Sequence, residues 1–432
     1  MEEQGILRLV YVVIDGMGDL PIEELGGRTP LEAAETPNMD ALAKRGRLGL
    51  MYSVAKGIAP ESDVAVISIL GYDPFRYETG RGPLEALGSG LTVKDGDLAL
   101  RCNFATLAPD GRILDRRAGR DLTAEEAKRL AEAVNREVKL RVHPADFEFR
   151  ATIGHRGALV IRSREGPLSG DITNTDPAYK KMEGVGVVDP NAAMVLQECR
   201  PLRPTEAATV SAQLVNEFVE WSRRVLEEHE VNRRRAALGK PKANVVLTRD
   251  AGDRLPKLFN LGERYGLRFA ALADMPVERA ISQLAGMDSV ELPPPSGNLA
   301  ADCKLRAEKL LALWGLYDAF YLHIKGPDEP GHDGNHALKT QMIAMIDEAF
   351  FGNLLPSVKP EECLICVTAD HSTPCKLKAH SDDPVPVLVS GGYIRPDGAG
   401  AFSEKECSRG SLGTLKHGTE LMPKLVSFLE MR

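Results

Sequence analysis

Residues 364–371 read LICVTADH, a short apolar run that ends in an aspartate followed by a histidine. Short apolar runs that contain β-branched residues and then break are typical of buried strands in parallel sheets. Two further runs of this kind lie far away in the sequence: residues 9–15 read LVYVVID, and residues 319–328 read AFYLHIKGPD. The three segments predict parallel strands of an α/β fold.

Each predicted strand is followed by acidic or histidine side chains: Asp15, Asp328, His332, Asp370 and His371. In open α/β sheets ligands bind beyond the carboxyl ends of the strands, so these side chains are expected to converge. A protein interior does not gather such groups without a cation that neutralises them. Aspartate and histidine without cysteine suit Mn²⁺ or Zn²⁺, whereas oxygen-only sites suit Mg²⁺. The pattern indicates an enzyme with two divalent ions, and His417 is a candidate for completing the second ion's ligand set.

The composition is that of a soluble globular protein. The chain has 432 residues, 43% hydrophobic and 27% charged, which favours about two domains. Its net charge of −8 offers no long-range attraction for nucleic acid or an anionic membrane. Seven cysteines, an odd number, indicate reduced thiols in a cytoplasm. Residues 1–4, MEEQ, carry acid where a signal peptide carries base, and no apolar run approaches the ~20 residues that span a bilayer. We expect a soluble cytoplasmic protein; the oligomeric state stays open.

The metal-type residues lie in two outer segments of the chain. We therefore expect a discontinuous catalytic domain of residues 1–77 and 301–432, interrupted by an inserted domain of residues 78–300. The insertion begins at the glycine-rich residues 80–83 and ends near the proline-rich residues 293–297, both of which are typical of hinges.

Ser62 stands where a loop gives way to an apolar helix, in residues 59–66, APESDVAV. A serine at such a position is commonly an N-cap. The same position suits a nucleophile, because the free N–H groups and the dipole of a helix N-terminus stabilise a phosphate. From spacing alone both interpretations remain open.

Seven motifs are spread over nearly the whole chain: DGMGD (15–19), PESD (60–63), GRGPLEALG (80–88), RCNFAT (101–106), DRRAGR (115–120), HIKGPDEPGHDG (323–334) and DHST (370–373). In combination they resemble the archaeal-type cofactor-independent phosphoglycerate mutases of the alkaline phosphatase superfamily. The resemblance implies a phosphatase-like domain with a mostly parallel sheet, interrupted by an inserted α/β phosphotransferase domain. It also implies interconversion of 3-phosphoglycerate and 2-phosphoglycerate in glycolysis and gluconeogenesis, without 2,3-bisphosphoglycerate.

The resemblance assigns roles to single residues. Ser62 would become phosphoserine, and Lys325 would contact the phosphoryl group. One ion, Mn²⁺ or alternatively Zn²⁺, Co²⁺ or Mg²⁺, would be held by Asp15, Ser62, Asp370 and His371. The other would be held by Asp328, His332 and His417. The candidates for binding the glycerate lie in the insertion: Asn103, Arg120, His155, Arg156, Asp171, Asp176 and Arg249.

Two departures from the resemblance concern substrate preference. Asp250 follows Arg249 where glycine is expected, and residues 273–278, ADMPVE, lack an expected Lys-Gly pair. The main alternative is a metal-dependent phosphatase or phosphodiesterase on the same catalytic domain, which the large insertion disfavours because simple hydrolysis needs no clamp. A catalytically inactive binding protein is disfavoured by the intact serine and ligand set.

Overall fold

The structure, a computed structural model, describes residues 7–77, 79–182, 185–188 and 192–431. The acidic start of the sequence, residues 1–4, lies outside these ranges. The described residues form two compact units. The first unit comprises residues 7–77 and 257–431, and the second comprises the described part of 79–256.

The strands are, in chain order, β1 (Arg8–Ile14), β2 (Gly46–Met51), β3 (Leu98–Leu107), β4 (Ile113–Asp115), β5 (Ala145–Ala151), β6 (Arg156–Ser163), β7 (Tyr179–Met182), β8 (Val185–Val188), β9 (Val245–Gly252), β10 (Phe269–Leu272), β11 (Asp288–Ser289), β12 (Ala319–Ile324), β13 (Cys363–Thr368), β14 (Val385–Gly391) and β15 (Gly413–Leu415). The helices are α1 (Pro30–Ala33), α2 (Pro37–Lys44), α3 (Ser62–Ile69), α4 (Pro74–Tyr77), α5 (Arg81–Gly88), α6 (Ala124–Glu137), α7 (Glu206–Glu227), α8 (Glu230–Ala237), α9 (Leu261–Tyr265), α10 (Pro276–Leu284), α11 (Leu299–Ala312), α12 (Asp328–Asp333), α13 (His336–Ile346), α14 (Gly352–Leu354), α15 (Glu404–Cys407) and α16 (Leu421–Leu429). Short 3-10 or π segments occur at Glu23–Leu25, Ala118–Arg120, Asp347–Phe351, Leu355–Ser357, Pro360–Glu362 and Gly418–Glu420.

The first unit is built on one mixed sheet with the order β11-β10-β12-β1-β13-β14-β2-β15. The three apolar runs predicted from the sequence are β12, β1 and β13, which lie side by side and run parallel. Their residues are almost entirely buried, as expected of central strands that are covered on both faces. The predicted α/β class with a mostly parallel sheet is confirmed.

The register of the three strands aligns their carboxyl ends. Ile14 of β1 pairs with Ile324 of β12, and Val13 pairs with Thr368 of β13. The residues that follow these strands therefore begin at the same edge of the sheet. One strand of the sheet, β14, runs antiparallel to both of its neighbours, β13 and β2.

The expected domain boundary near residue 300 is corrected by the structure. The first unit resumes at residue 257 rather than at 301. The physical reason is strand pairing: β10 joins the sheet beside β12, with Phe269 opposite Ala319 and Leu272 opposite Leu322. The proline-rich residues 293–297 thus form a loop within the first unit rather than a junction between domains.

The second unit has its own sheet and core. Strands β4, β3, β6 and β5 form an antiparallel sheet, and β9 pairs with β3 on the side opposite β6. Helices α6 and α7 bury apolar faces in the core of this unit. Helix α6 begins at a capping box, in which Thr123 and Glu126 satisfy each other's backbone N–H groups.

Among the described residues, the structure has no helix that is both long enough and apolar enough to cross a membrane.

Candidate active site

The first candidate metal group consists of Asp15, Asp370 and His371, all buried, with ligand atoms within 4.8 Å of one another. Asp15 directly follows β1, and Asp370 lies two residues beyond β13. His371 Nε2 lies 3.3 Å from Asp15 Oδ1 and 3.4 Å from Asp370 Oδ2. The convergence expected from the strand ends is therefore present at this edge of the sheet.

A backbone turn after β1 allows Asp328 to approach the first metal group. Gly16 has a φ of 62°, in the left-handed region that favours glycine. A Cβ atom at Gly16 would lie 2.7 Å from the Cα atom of Asp328. Glycine is therefore required here by both the turn and the close approach.

Ser62 faces the first metal group and is not the N-cap. Helix α3 begins at Ser62, and Glu61 occupies the cap position without a side-chain capping hydrogen bond. The Ser62 hydroxyl instead lies 3.1 Å from His371 Nε2 and is largely buried. Of the two interpretations left open by the sequence, this geometry favours the nucleophile.

The second candidate metal group consists of Asp328, His332 and His380. Asp328 and His332 are four residues apart on α12, so their side chains lie on one face of the helix. Asp328 Oδ1 lies 3.5 Å from His332 Nε2 and 3.3 Å from His380 Nε2. His380 is brought here by a loop that returns along the segment after β13, where Ser381 pairs with Ser372. The His380 ring stacks on that of His371, with 3.7 Å between the ring centroids.

The expectation for His417 is corrected. Among the described residues this side chain belongs to neither metal group; it is exposed and caps the 3-10 segment Gly418–Glu420. His417 pairs with Ala55 through a backbone bridge, and its backbone N–H donates to Glu420 Oε1. The third member of the second candidate group is His380 instead.

Hydrogen bonds fix the tautomers of the three histidines. His380 Nδ1 donates to the carbonyl oxygen of Pro60 at 2.8 Å, and His332 Nδ1 donates to that of Lys378 at 3.2 Å. His371 Nδ1 donates to Thr373 Oγ1 at 3.0 Å, because the Thr373 hydroxyl itself donates to an Asp328 carboxylate oxygen at 2.6 Å. Each ring therefore presents its Nε2 lone pair to a metal group, the usual orientation of metal-binding histidines.

The donor atoms fit cations. The Nε2 atoms of His332 and His380 are 3.1 Å apart, and two lone pairs at this distance repel unless a cation or proton separates them. Asp15 Oδ1 is buried and accepts no hydrogen bond from the described residues. Burial lowers the pKa of His371, but Asp370 and Asp15 raise it to about 9, so the carboxylates favour a positive charge at this position. An Asp–His donor set of this kind suits borderline divalent ions.

Lys325 follows β12 and links Asp15 of the first metal group to Glu278. Its Nζ atom lies 2.9 Å from Asp15 Oδ2 and 2.7 Å from Glu278 Oε1. Burial alone would lower the pKa of Lys325, but Asp15 and Glu278 hold it well above its ordinary value. Burial would raise the pKa of Glu278, yet Lys325 and His323 bring it down to about 2. The ammonium and the carboxylates are thus charged together.

His323 and Lys339 support the loops that carry the ligands. His323, buried in β12, lies between Asp370 Oδ2 at 3.2 Å and Glu278 Oε1 at 3.5 Å. The fully buried Lys339 ammonium donates to the carbonyl oxygens of Gly18 and Thr373 and to a carboxylate oxygen of Asp19. It therefore ties the loop after β1 to the loop after β13.

The second unit contains a cationic cluster, defined as Arg101, Arg120, Arg156 and Arg249 around His155. Burial and then these arginines lower the pKa of His155 to about 4. Arg249 of β9 is the cross-strand partner of Arg101 on β3, and Arg156 is the partner of Asn103. Asn103 Oδ1 is buried and accepts no hydrogen bond from the described residues. Four of the seven predicted substrate residues therefore belong to the cationic cluster: Arg120, His155, Arg156 and Arg249. A fifth, Asn103, adjoins it.

The two remaining candidates, both acids, occupy different positions. Asp176 is fully buried and accepts hydrogen bonds from Arg116 at 2.9 and 2.6 Å and from Arg249 at 3.1 Å, so it orients the cluster. Asp171 lies at the surface, with 42% of its side chain exposed and Oδ2 3.5 Å from Arg203 Nε. The structure thus gives Asp176 a positioning role and pairs Asp171 with a surface arginine.

The sequence interpretation missed His380, Glu278 and Arg101. His380 follows no predicted strand, and Glu278 lies on a helix that had been assigned to the insertion. Arg101 could have been found, because it precedes Cys102 and Asn103 in a motif that was already singled out.

Relatives of the chain were found by sequence and by structure. A family model described as 2,3-bisphosphoglycerate-independent phosphoglycerate mutase matches residues 43–232. Proteins of that name from Aeropyrum pernix and Methanopyrus kandleri are each 42% identical to this chain. The match to the Aeropyrum pernix protein covers 98% of this chain and 100% of the relative. The match to the Methanopyrus kandleri protein covers 96% of this chain and 94% of the relative. Among solved structures, a Pyrococcus horikoshii protein has a TM-score of 0.77 at 32% identity, covering 98% of this chain and 97% of its own. A cofactor-independent phosphoglycerate mutase from Thermoplasma acidophilum has a TM-score of 0.64 at 31% identity, with 98% and 100% coverage.

The mostly parallel sheet and the two Asp–His groups at its carboxyl edge define an α/β enzyme with candidate metal centres. Because it shares 42% identity with curated relatives over nearly its full length, the chain belongs to the 2,3-bisphosphoglycerate-independent phosphoglycerate mutase family. The enzyme is therefore an isomerase.

Proposed function

We propose that this enzyme interconverts 3-phosphoglycerate and 2-phosphoglycerate through a phosphoserine at Ser62, as a cytoplasmic step of glycolysis and gluconeogenesis. The observation that carries the proposal is the position of Ser62 at the start of α3, with its hydroxyl 3.1 Å from His371 Nε2. A serine in this position can attack phosphorus while the helix N-terminus stabilises the phosphate oxygens.

Two divalent ions, Mn²⁺ in first place, are part of the proposal. Asp15, Ser62, Asp370 and His371 would hold one ion, and Asp328, His332 and His380 would hold the other. When bound, such ions neutralise charge on a transferring phosphoryl group and favour the deprotonated form of a nearby hydroxyl. We also propose that the fold belongs to the alkaline phosphatase superfamily.

The protein's own residues have distinct tasks in this proposal. Lys325 donates to a phosphoryl oxygen, and Glu278 keeps its ammonium charged and directed toward the first metal group. The cationic cluster binds the anionic part of the glycerate, so that the glycerate remains bound after Ser62 has taken the phosphoryl group. The bound glycerate can then turn and receive the phosphoryl group on its other hydroxyl. Retention of the glycerate is what distinguishes an intramolecular transfer from hydrolysis.

The alternative is a metal-dependent phosphatase with the same serine. It would need no second unit with a cationic cluster, which supports the mutase. The test is to incubate the Mn²⁺-loaded enzyme with 3-phosphoglycerate and to measure 2-phosphoglycerate and free phosphate in the same samples. The mutase predicts that 2-phosphoglycerate forms far faster than phosphate. Phosphate as the main product would instead establish the phosphatase.

A further inference from the structure

Asp250 holds an unusual backbone conformation within the cationic cluster. Between the Arg101–Arg249 pair and the Ala99–Gly252 pair, two residues of β9 face one residue of β3, which is a β-bulge. Asp250 occupies the bulge with a φ of 56°, in the left-handed region. Aspartate tolerates this region better than most residues, but glycine adopts it with the least strain. Residues other than glycine in this region commonly lie at functional sites.

The Asp250 carboxylate faces two guanidinium groups. Its Oδ2 atom lies 3.5 Å from Arg249 Nε and 3.9 Å from Arg101 Nη1, and only 11% of the side chain is exposed. Arg249 Nε and Arg101 Nε are both buried and donate no hydrogen bond to the described residues. The carboxylate therefore lies within ion-pair range of both arginines, while these donor atoms remain available to another anion.

Positive charge is in excess around Arg101. The other carboxylate near this arginine is Glu85, whose Oε2 atom lies 4.0 Å from Arg101 Nε and 4.0 Å from Arg81 Nε. Burial and the neighbouring Arg81 and Arg249 lower the pKa of Arg101 to about 10. A substrate carboxylate could form paired hydrogen bonds with these guanidinium groups. It would then bind the arginines more strongly than the Asp250 carboxylate does at its present distances.

We propose that Asp250 is an internal counter-ion that competes with the carboxylate of phosphoglycerate for Arg101 and Arg249. It weakens binding of the substrate and of the product alike, and when no substrate is present it shares with Asp176 and Glu85 the neutralisation of Arg249 and Arg101. The identity of the anion rests on the proposed function, whereas the competition rests on the geometry of the cluster.

The test compares Asp250→Asn and Asp250→Gly with the wild type, all loaded with Mn²⁺. Calorimetric titration with 3-phosphoglycerate, and separately with inorganic sulfate, measures the affinity, and steady-state assays measure KM and kcat. Asparagine also tolerates the left-handed region, so it removes the charge while retaining the backbone. We expect both variants to bind each anion about 10-fold more tightly and to lower KM by a similar factor, without an increase in kcat. Asp110→Asn, at an exposed acid of the same unit, should change neither quantity.

A double-mutant cycle separates competition from a structural effect. In an Arg101→Ala background, Asp250→Asn should lose most of its gain in affinity. Unchanged or weaker binding by Asp250→Asn would overturn the proposal, as would a gain confined to Asp250→Gly, which would report backbone strain alone. If the wild type fails to convert phosphoglycerate while Asp250→Asn still gains affinity for sulfate, the proposed function fails and the counter-ion role stands.

Discussion

Glu278 Oε1 lies 2.7 Å from Lys325 Nζ, so a helix far from the metal ligands in sequence directs the lysine that contacts Asp15. Helix α10, which carries Glu278, belongs to the first unit through the pairing of the preceding strand β10 with β12. The stretch between residues 257 and 300 thus contributes to the candidate active site.

Glu278→Gln should lower kcat by about 10-fold while leaving KM nearly unchanged. The amide retains a hydrogen-bond acceptor for Lys325 but removes the negative charge that holds the ammonium in place. Glu278→Ala should in addition destabilise the fold by about 1–3 kcal/mol, because it leaves Lys325 and His323 with one carboxylate acceptor fewer. Steady-state kinetics and thermal unfolding would measure both effects, with the exposed Glu263→Gln as a matched control. Wild-type kcat in Glu278→Gln would show that the lysine needs no such partner.

Ser62→Ala should abolish mutase turnover and leave the fold intact. Removing one partly satisfied hydroxyl costs on the order of 1 kcal/mol, too little to unfold a large domain. Mass spectrometry of the wild type quenched during turnover should find a phosphate on the peptide that contains Ser62. The exposed Ser427→Ala serves as the control. Substantial turnover by Ser62→Ala would exclude the phosphoserine route.

His380→Ala and His417→Ala should differ sharply in metal content. His380 faces Asp328 and His332, whereas the exposed His417 caps a 3-10 segment. We expect His380→Ala to lose one of two bound Mn²⁺ ions at micromolar metal, and His417→Ala to keep both. Elemental analysis after gel filtration gives the stoichiometry directly. The reverse pattern would restore His417 as the ligand.

Chelation should abolish activity, and Mn²⁺ or Co²⁺ should restore it. The opposed Nε2 atoms and the unsatisfied Asp15 oxygen both indicate cation sites. The measurement is turnover after exhaustive dialysis against a chelator, followed by readdition of each ion. Full turnover in protein shown by elemental analysis to be metal-free would refute a metal-dependent mechanism.

Arg156→Ala should shift the outcome of catalysis from mutase toward hydrolysis. A charge-assisted contact contributes roughly 1.5–3 kcal/mol, so its loss should slow the mutase by about 10- to 100-fold. Free phosphate should rise relative to product, because the glycerate leaves before its second hydroxyl meets the phosphoserine. Arg203→Ala, at a surface arginine paired with Asp171, is the matched control. If both rates stay at wild-type values, Arg156 does not bind the glycerate.

The convergence of ligands at the sheet edge could be predicted because β1, β12 and β13 are recognisable as apolar runs, and because Asp15 and Asp370 follow β1 and β13 closely. His380 could not be predicted in this way, since its position depends on a return loop and on the Ser372–Ser381 pairing. Residues 257–300 were misassigned for a related reason. Strand β10 is only four residues long and is followed by no cluster of ligands, so its place in the sheet follows from long-range pairing rather than from local pattern.

The hydroxyl of Thr373 is shared by the two metal groups. It accepts from His371 Nδ1 of the first group and donates to Asp328 of the second. A change in charge at either group alters the polarity of this one hydroxyl and hence the ligand strength offered to the other. We expect the first ion to weaken the binding of the second, so that a half-loaded enzyme is populated between the empty and the fully charged forms.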